Sequence, residues 1–183
     1  MKAVLSELDR ARVAFRRVSR SDDRRTVRAC IVPKGVFLAD SAPYLVFVEG
    51  SAIDQSTCLG IINSLPFDWQ VRRLVEANIN HFLLEALTVP NLDEENYIQV
   101  AQGAARLSAV DDSFNEFAIS TGVTCGQLTR NKQLQLKVDI DARIARAWQL
   151  TVADLETMLE DFTNDAVPPA YREALIRRFL ELS

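Results

Sequence analysis

A single histidine, two methionines, two tryptophans, three cysteines and six glycines are spread through 183 residues. Each scarcity removes a class of chemistry. His81 is the only imidazole, so histidine pairs are excluded, and it stands in no recognisable motif with serine or cysteine. On its apolar stretch it reads as a core or half-buried residue. Cys30, Cys58 and Cys125 are far apart and odd in number. They show neither metal spacing nor a disulfide framework, which points to a reducing cytoplasm and to three small core residues. The glycines form neither GxGxxG nor a phosphate loop. No apolar run approaches the ~18 residues of a membrane span, and the opening MKAVLSELDRAR lacks the apolar centre of a signal peptide. What remains is an ordinary globular composition, 48% hydrophobic and 25% charged, which excludes a disordered chain. Its length suits one domain or two small ones.

Positive charge is present but unevenly placed. The net charge is −4, yet residues 1–34 hold ten basic and four acidic side chains, a balance of +6. Residues 35–183 hold eleven basic and twenty-one acidic ones, a balance of −10. Binding follows local potential and not the total, so such a chain can hold a polyanion on its basic face. A solvated basic edge is the plain alternative.

Residues 11–18 alternate weakly, with Val13 and Phe15 on one face, and read as a strand. The polar run 19–25 reads as a loop, and residues 26–32 as a second strand closed by Pro33-Lys34-Gly35. Residues 36–38 and 44–48 are further strand candidates, and 57–62 is another apolar run. Residues 67–87 carry Val71, Leu74, Val75, Ile79, Phe82 and Leu83 at helical spacing, with Asp68 as a candidate cap. Periodicity leaves open a helix that stops near Asn78, with its apolar end joining the sheet. Helices follow over 95–107 (Ile98, Ala101, Ala105), 111–119 (Phe114, Phe117, Ala118) and 131–150 (Leu134, Val138, Ala142, Ala145, Trp148). Thr151 and Asp154 form a capping-box-like start for the stripe Leu155, Met158, Leu159 and Phe162. Pro168-Pro169 suits the start of a last helix, with Tyr171, Leu175, Phe179 and Leu180 inward. The acidic clusters Asp93-Glu94-Glu95 and Asp111-Asp112 fit helix N-termini. The fold class is α+β: a mixed α/β half over 1–92, then an all-helical half over 93–183.

The segment richest in interaction chemistry holds Arg12, Arg16, Arg17, Arg20, Arg24, Arg25 and Arg28, seven arginines within seventeen residues. Guanidinium forks match phosphate oxygens and the O6/N7 edge of guanine. Ser19, Ser21 and Thr26 add small phosphate donors. Asp22 and Asp23 lie in the same segment and are candidate partners for these arginines.

Residues Phe15, Arg16, Val18, Ser19, Ser21, Asp23, Arg25 and Thr26, then Pro33 and Gly35-Val36, fit a pattern similar to F-R-x-[IV]-[AST]-x-[ST]-[TN]-[DN]-x-R-T followed by Pro-x-Gly/Ala-Val. Leu59, Asn63-Ser64, Phe67-Asp68-Trp69, Arg72, Asn80, Phe82 and Leu87-Thr88-Val89-Pro90 resemble its continuation, "L-N-S … F-D-W … R … N-F-F … L-P-V-P". Ile144-Ala145, Trp148, Leu150-Thr151, Asp154-Leu155, Met158-Leu159 and Phe162 resemble a C-terminal "A-x-Y-G-L-[ST]-x-x-[DE]-L" before "I-L-x-x-F". Trp148-Gln149 stands for Tyr-Gly, Asp22 for the usual Thr or Asn, and Arg17 for a frequent Asp. In this order the set resembles the target-recognition region of large adenine-specific DNA methyltransferases. These are the type IIG restriction–modification enzymes and their relatives in BREX- and DISARM-like phage defence.

The resemblance implies a division of labour. A separate methyltransferase core takes up the flipped adenine, holds S-adenosylmethionine and carries the Pro-Pro catalytic loop. The recognition region grips the duplex and reads base edges. Val167-Pro168-Pro169-Ala170 lacks the preceding Asp or Asn of such a loop and reads only as a helix start. The expectation is therefore a non-catalytic specificity part with double-stranded DNA as ligand and the core as partner, in cis or in trans. No cofactor or metal is expected in this chain. Arg16, Arg20, Arg24 and Arg25 are expected on DNA, and Arg12, Arg28 and Lys34 on phosphates; Arg25 has a structural alternative through nearby Asp23. The helical half is expected to brace the reader or dock the core. Arg177-Arg178 is either part of that docking face or a solvated helix end. The competing class is a protein-interaction module whose basic edge meets an acidic partner.

Overall fold

The computed structural model describes residues 8–182. The first seven residues of the opening read above lie outside that range. Strand β1 (Arg12–Phe15) is the centre of a three-stranded sheet, between β2 (Ala29–Val32) and β3 (Tyr44–Leu45). Both pairings are antiparallel, with Arg12 opposite Val32, Phe15 opposite Ala29, and Ala14 opposite Tyr44. All four β1 residues are buried, because a central strand is covered on both faces. This explains why its alternation in sequence is weak.

Residues 36–38 form no strand. Pro33 and Gly35, the latter at φ +78°, turn the chain off the sheet, and Phe37 is left exposed. The apolar run 57–62 is the second half of helix α1 (Ala52–Asn63), which a Ser51–Asp54 capping box starts. Helix α1 buries residues around most of its circumference, which erases the period that marks a surface helix. Gly60 permits this: a Cβ there would lie 2.5 Å from Val100 Cγ1.

Helix α2 (Leu65–Leu74) is capped by Ser64, whose hydroxyl accepts from Phe67 N. Asp68, expected as that cap, is instead fully buried and turned toward the arginine segment. After Val75 the chain returns to the sheet: Asn78 bridges Val18, and Ile79 N donates to Arg17 O. Helix α3 (His81–Glu85) follows. His81 is exposed, not in the core, and meets the Phe15 ring edge-on; Phe82 is also exposed.

The rest of the described chain is helical: α4 (Glu94–Ser108), a 3-10 turn (Asp112–Phe114), α5 (Asn115–Thr121), α6 (Arg130–Ala147), α7 (Val152–Glu160) and α8 (Pro169–Glu181). The Thr151–Asp154 capping box and the proline start of the last helix are both present. The fold is thus α+β, a small sheet followed by a mostly helical region. Leu134 and Leu180, expected inward, are exposed, and so is Ile98 at the margin of its stripe. Cys30 is exposed, while Cys58 and Cys125 are part-buried, so none of the three is a full core residue.

Helix α6 ends in a left-handed turn. Leu150 N donates to Ala145 O and Gln149 N to Arg146 O, and Gln149 itself sits at φ +56°. This is the position where the pattern above has glycine.

One core joins the sheet to α1, α2, α4 and the middle of α6 through residues such as Val13, Ile61, Val71, Val100 and Ile144. A second lies among α6, α7 and α8, around Ala145, Leu155, Leu159, Leu175 and Phe179. The larger core draws residues from both sides of residue 92. No helix among the described residues is long and apolar enough to cross a membrane.

Candidate nucleic-acid interface

The arginine segment is the connection between β1 and β2, and two carboxylates fix its shape. Asp23 accepts from Arg20 N at 3.2 Å and from the Arg16 guanidinium, with Ser19 Oγ 3.3 Å away. The Arg20 amide and the Arg16 charge hold the Asp23 carboxyl below its ordinary range against some desolvation. Ser19 Oγ also donates to Thr26 O, which closes the loop on itself. Asp68 holds the far end. Its Oδ1 accepts from Thr26 N and Val27 N, both at 2.9 Å, and its Oδ2 from Arg25 Nε at 2.7 Å. Arg25 also donates to Asn63 O, and the Asn63 amide pairs with both backbone groups of Ala29 on the outer edge of β2. Arg25 therefore has a structural partner, but it is Asp68 on α2 and not Asp23.

The expected site residues fall into groups by what they touch. Arg12 is buried, donates to Val36 O and lies over the Tyr44 ring at 5.0 Å. Arg12 is thus held inside the protein, while Arg25 is part-buried and tied to the fold through Asp68. Arg16 is half-buried against Asp23. Arg17–Asp40, Arg24–Asp165 and Lys34–Glu116 are ion pairs at the surface. Exposed pairs contribute roughly 0–1 kcal/mol, so a phosphate can replace the carboxylate at little cost. Arg20 and Arg28 are exposed and have no side-chain partner among the described residues.

Every pattern residue of the segment with a hydrogen-bonding side chain, Ser21 apart, is turned to the fold: Arg16, Ser19, Asp23, Arg25 and Thr26. The positions at which that pattern accepts any residue are 17, 20 and 24, and these carry the surface arginines. Polar side chains near the C-terminus are also turned to the fold. Arg172 donates to the carbonyls of Leu159, Phe162 and Val167 and so ties α7 to α8. Tyr171 donates to Asp141, whose other oxygen accepts from Leu65 N at 2.8 Å. Burial pushes the Asp141 carboxyl up, and burial beside Asp141 pushes the Tyr171 hydroxyl well above its ordinary value. Arg178 pairs with Asp139 and Glu181, whereas Arg177 is exposed.

Three further cations were not singled out in the sequence. Arg130, Lys132 and Lys137 stand on the first turns of α6, exposed and without side-chain partners among the described residues. They carry only ordinary helical spacing, and nothing in it distinguishes them from a solvated face.

Among the described residues no cluster of three His, Cys, Asp or Glu could hold a metal. Gly60 and Gly103 lie inside helices, packed on Val100 and Ile140, and among the described residues no glycine-rich turn opens a helix. The chemistry this surface supports is anion binding by guanidinium groups. Comparison with known protein families, with curated proteins and with solved structures gave no match.

Proposed function

We propose that this chain is the DNA-recognition part of an adenine-specific methyltransferase of a restriction–modification or phage-defence system. One observation carries the reading. A loop pinned at Asp23 and Asp68 presents Arg20 and Arg28 unpartnered, with Arg17, Arg24 and Lys34 in exchangeable surface pairs. A rigid loop with outward guanidinium groups is what reading base edges requires, because a fork aimed at guanine must be held at a fixed angle.

In this reading Arg20 and Arg24 reach base edges, while Arg17, Arg28 and Lys34 take phosphates. Arg16 is a positioning residue that keeps the loop closed through Asp23. Arg12 and Arg25, expected on DNA from the sequence, serve the fold instead. The recognition half is 1–92, and the helical half, 93–183, braces it through the shared core. Methyl transfer belongs to a separate core, together with its S-adenosylmethionine.

The test is an electrophoretic mobility shift with random-sequence duplex at two salt concentrations. The wild type shifts the duplex, and more weakly at the higher salt. The Arg20→Ala/Arg24→Ala variant shifts it less at low salt. Equal binding by wild type and variant at low salt removes these two residues from the interface. No shift by the wild type, with capture by an acidic protein partner, favours the interaction-module reading.

A further inference from the structure

We infer that the first turns of α6 carry a second row of DNA-phosphate contacts, Arg130 and Lys137, which meets the arginine loop at Arg28. The inference rests on the DNA reading of the loop and extends it to a helix otherwise read as a brace. A cleft of about 930 Å3 runs between the edge strand β2 and α6, over α1 and α4. Arg28 lines it from the β2 side, and Arg130 and Lys137 from α6. None of the three has a partner among the described residues. The one carboxylate lining the cleft, Asp141, is buried and already accepts from Leu65 N and Tyr171.

Farther along α6 and on α8, Arg143 and Arg178 both pair with Asp139, outside the cleft. The cleft is therefore a place where positive charges gather with no free counter-charge, which raises the local potential for a polyanion. Spacing agrees with a nucleic-acid strand. Arg130 and Lys137 lie seven residues apart on one face of α6, roughly 10 Å along its axis. Long side chains at that separation can each reach a different phosphate of one strand. Asn131 and Gln133 add amide donors at the same wall, and the exposed Leu134 between the cations offers an apolar face to the sugars. Arg25 lines the cleft as well, so its wall is continuous with the loop that Arg20 and Arg24 occupy.

The experiment is a fluorescence-anisotropy titration of a 20-base-pair duplex with the full chain across a salt series. It compares wild type, Arg130→Ala/Lys137→Ala, and Lys132→Ala, a neighbour on α6 outside the cleft. Melting curves check that each variant is folded, and Arg130→Gln/Lys137→Gln replaces the double alanine variant if that one is not. Removing two phosphate contacts lowers the slope of log K against log salt by about 1.8. The double variant should bind more weakly at low salt by an order of magnitude or more, and Lys132→Ala should follow the wild type. Salt-dependent binding by the wild type with an unchanged slope in the double variant overturns this inference and leaves the loop reading standing. Loss of poly-L-glutamate binding by that variant with duplex binding intact overturns it too, in favour of an acidic polypeptide. Absence of duplex binding by the wild type overturns the loop reading, and this inference with it.

Discussion

Loop 16–28 carries six arginines, and four of them, Arg16, Arg17, Arg24 and Arg25, are paired with carboxylates. The first eight residues of α6 carry three cations, and none is paired among the described residues. The segment with more charge in sequence thus has fewer free cations than the helix read as its support. The partners make the difference. Asp40, Asp68 and Asp165 lie far along the chain from the loop they neutralise, while α6 has no acidic residue before Asp139. Charge density along a chain measures what is available to the fold and the ligand together. Only the structure divides it between them.

The strongest way to break this contrast is at Asp68. Asp68→Ala leaves the Arg25 charge and two buried amides without their acceptor, and should cost about 3–5 kcal/mol in urea unfolding. Arg130→Ala/Lys137→Ala should leave the same curve unchanged, because those side chains touch no partner. A smaller effect of opposite sign is expected at the far end of α6. Gln149→Gly relieves a left-handed residue and should raise stability by about 1 kcal/mol, read as a higher midpoint in the same titration.

Acid should separate the two regions again. The Asp23 carboxyl is held below its ordinary 3.8, so its contribution is present above that value and lost as pH falls through the lower folded one. Protection of the loop amides, relative to the intrinsic exchange rate, should therefore fall below pH 4, with no matching change at residues 130–137, which contain no carboxylate. The smallest effect belongs to Arg24→Ala. It removes an exposed pair with Asp165, so it should shift stability by roughly 0–1 kcal/mol while still weakening DNA binding.

Much of the fold was legible. The capping box at Thr151, the proline start of α8 and the stripe of α7 follow from side-chain chemistry within a single turn. Helix α1 was not, because a helix covered on most faces has no period to read, and its apolar half matches a buried strand equally well. Asp68 looked like a cap because it opens an apolar stripe; Ser64 took that role, which freed Asp68 to hold two amides of the loop. For the site, the sequence located the arginine segment but not its inside and outside. Nothing in the local sequence separates the outcome for Arg12 and Arg25 from that for Arg20 and Arg28; the distant Val36 and Asp68 engage the first two. The α6 cations stayed invisible for the opposite reason, since their importance lies in what is absent around them.

In the proposed function the exposed cations of the loop and the cleft, rather than every arginine of the dense segment, hold the ligand. The most direct measurement is the low-salt duplex affinity of Arg20→Ala/Arg28→Ala beside Arg16→Ala/Arg17→Ala, four arginines of one loop. The first pair removes one base contact and one phosphate contact, so it should lose the more affinity, with a salt slope lower by about 0.9 and an unchanged melting temperature. The second should lose less affinity, from Arg17 alone, with a lower melting temperature from the opened Asp23 clamp. Equal losses of affinity in the two variants, or a larger loss in the second, would contradict this.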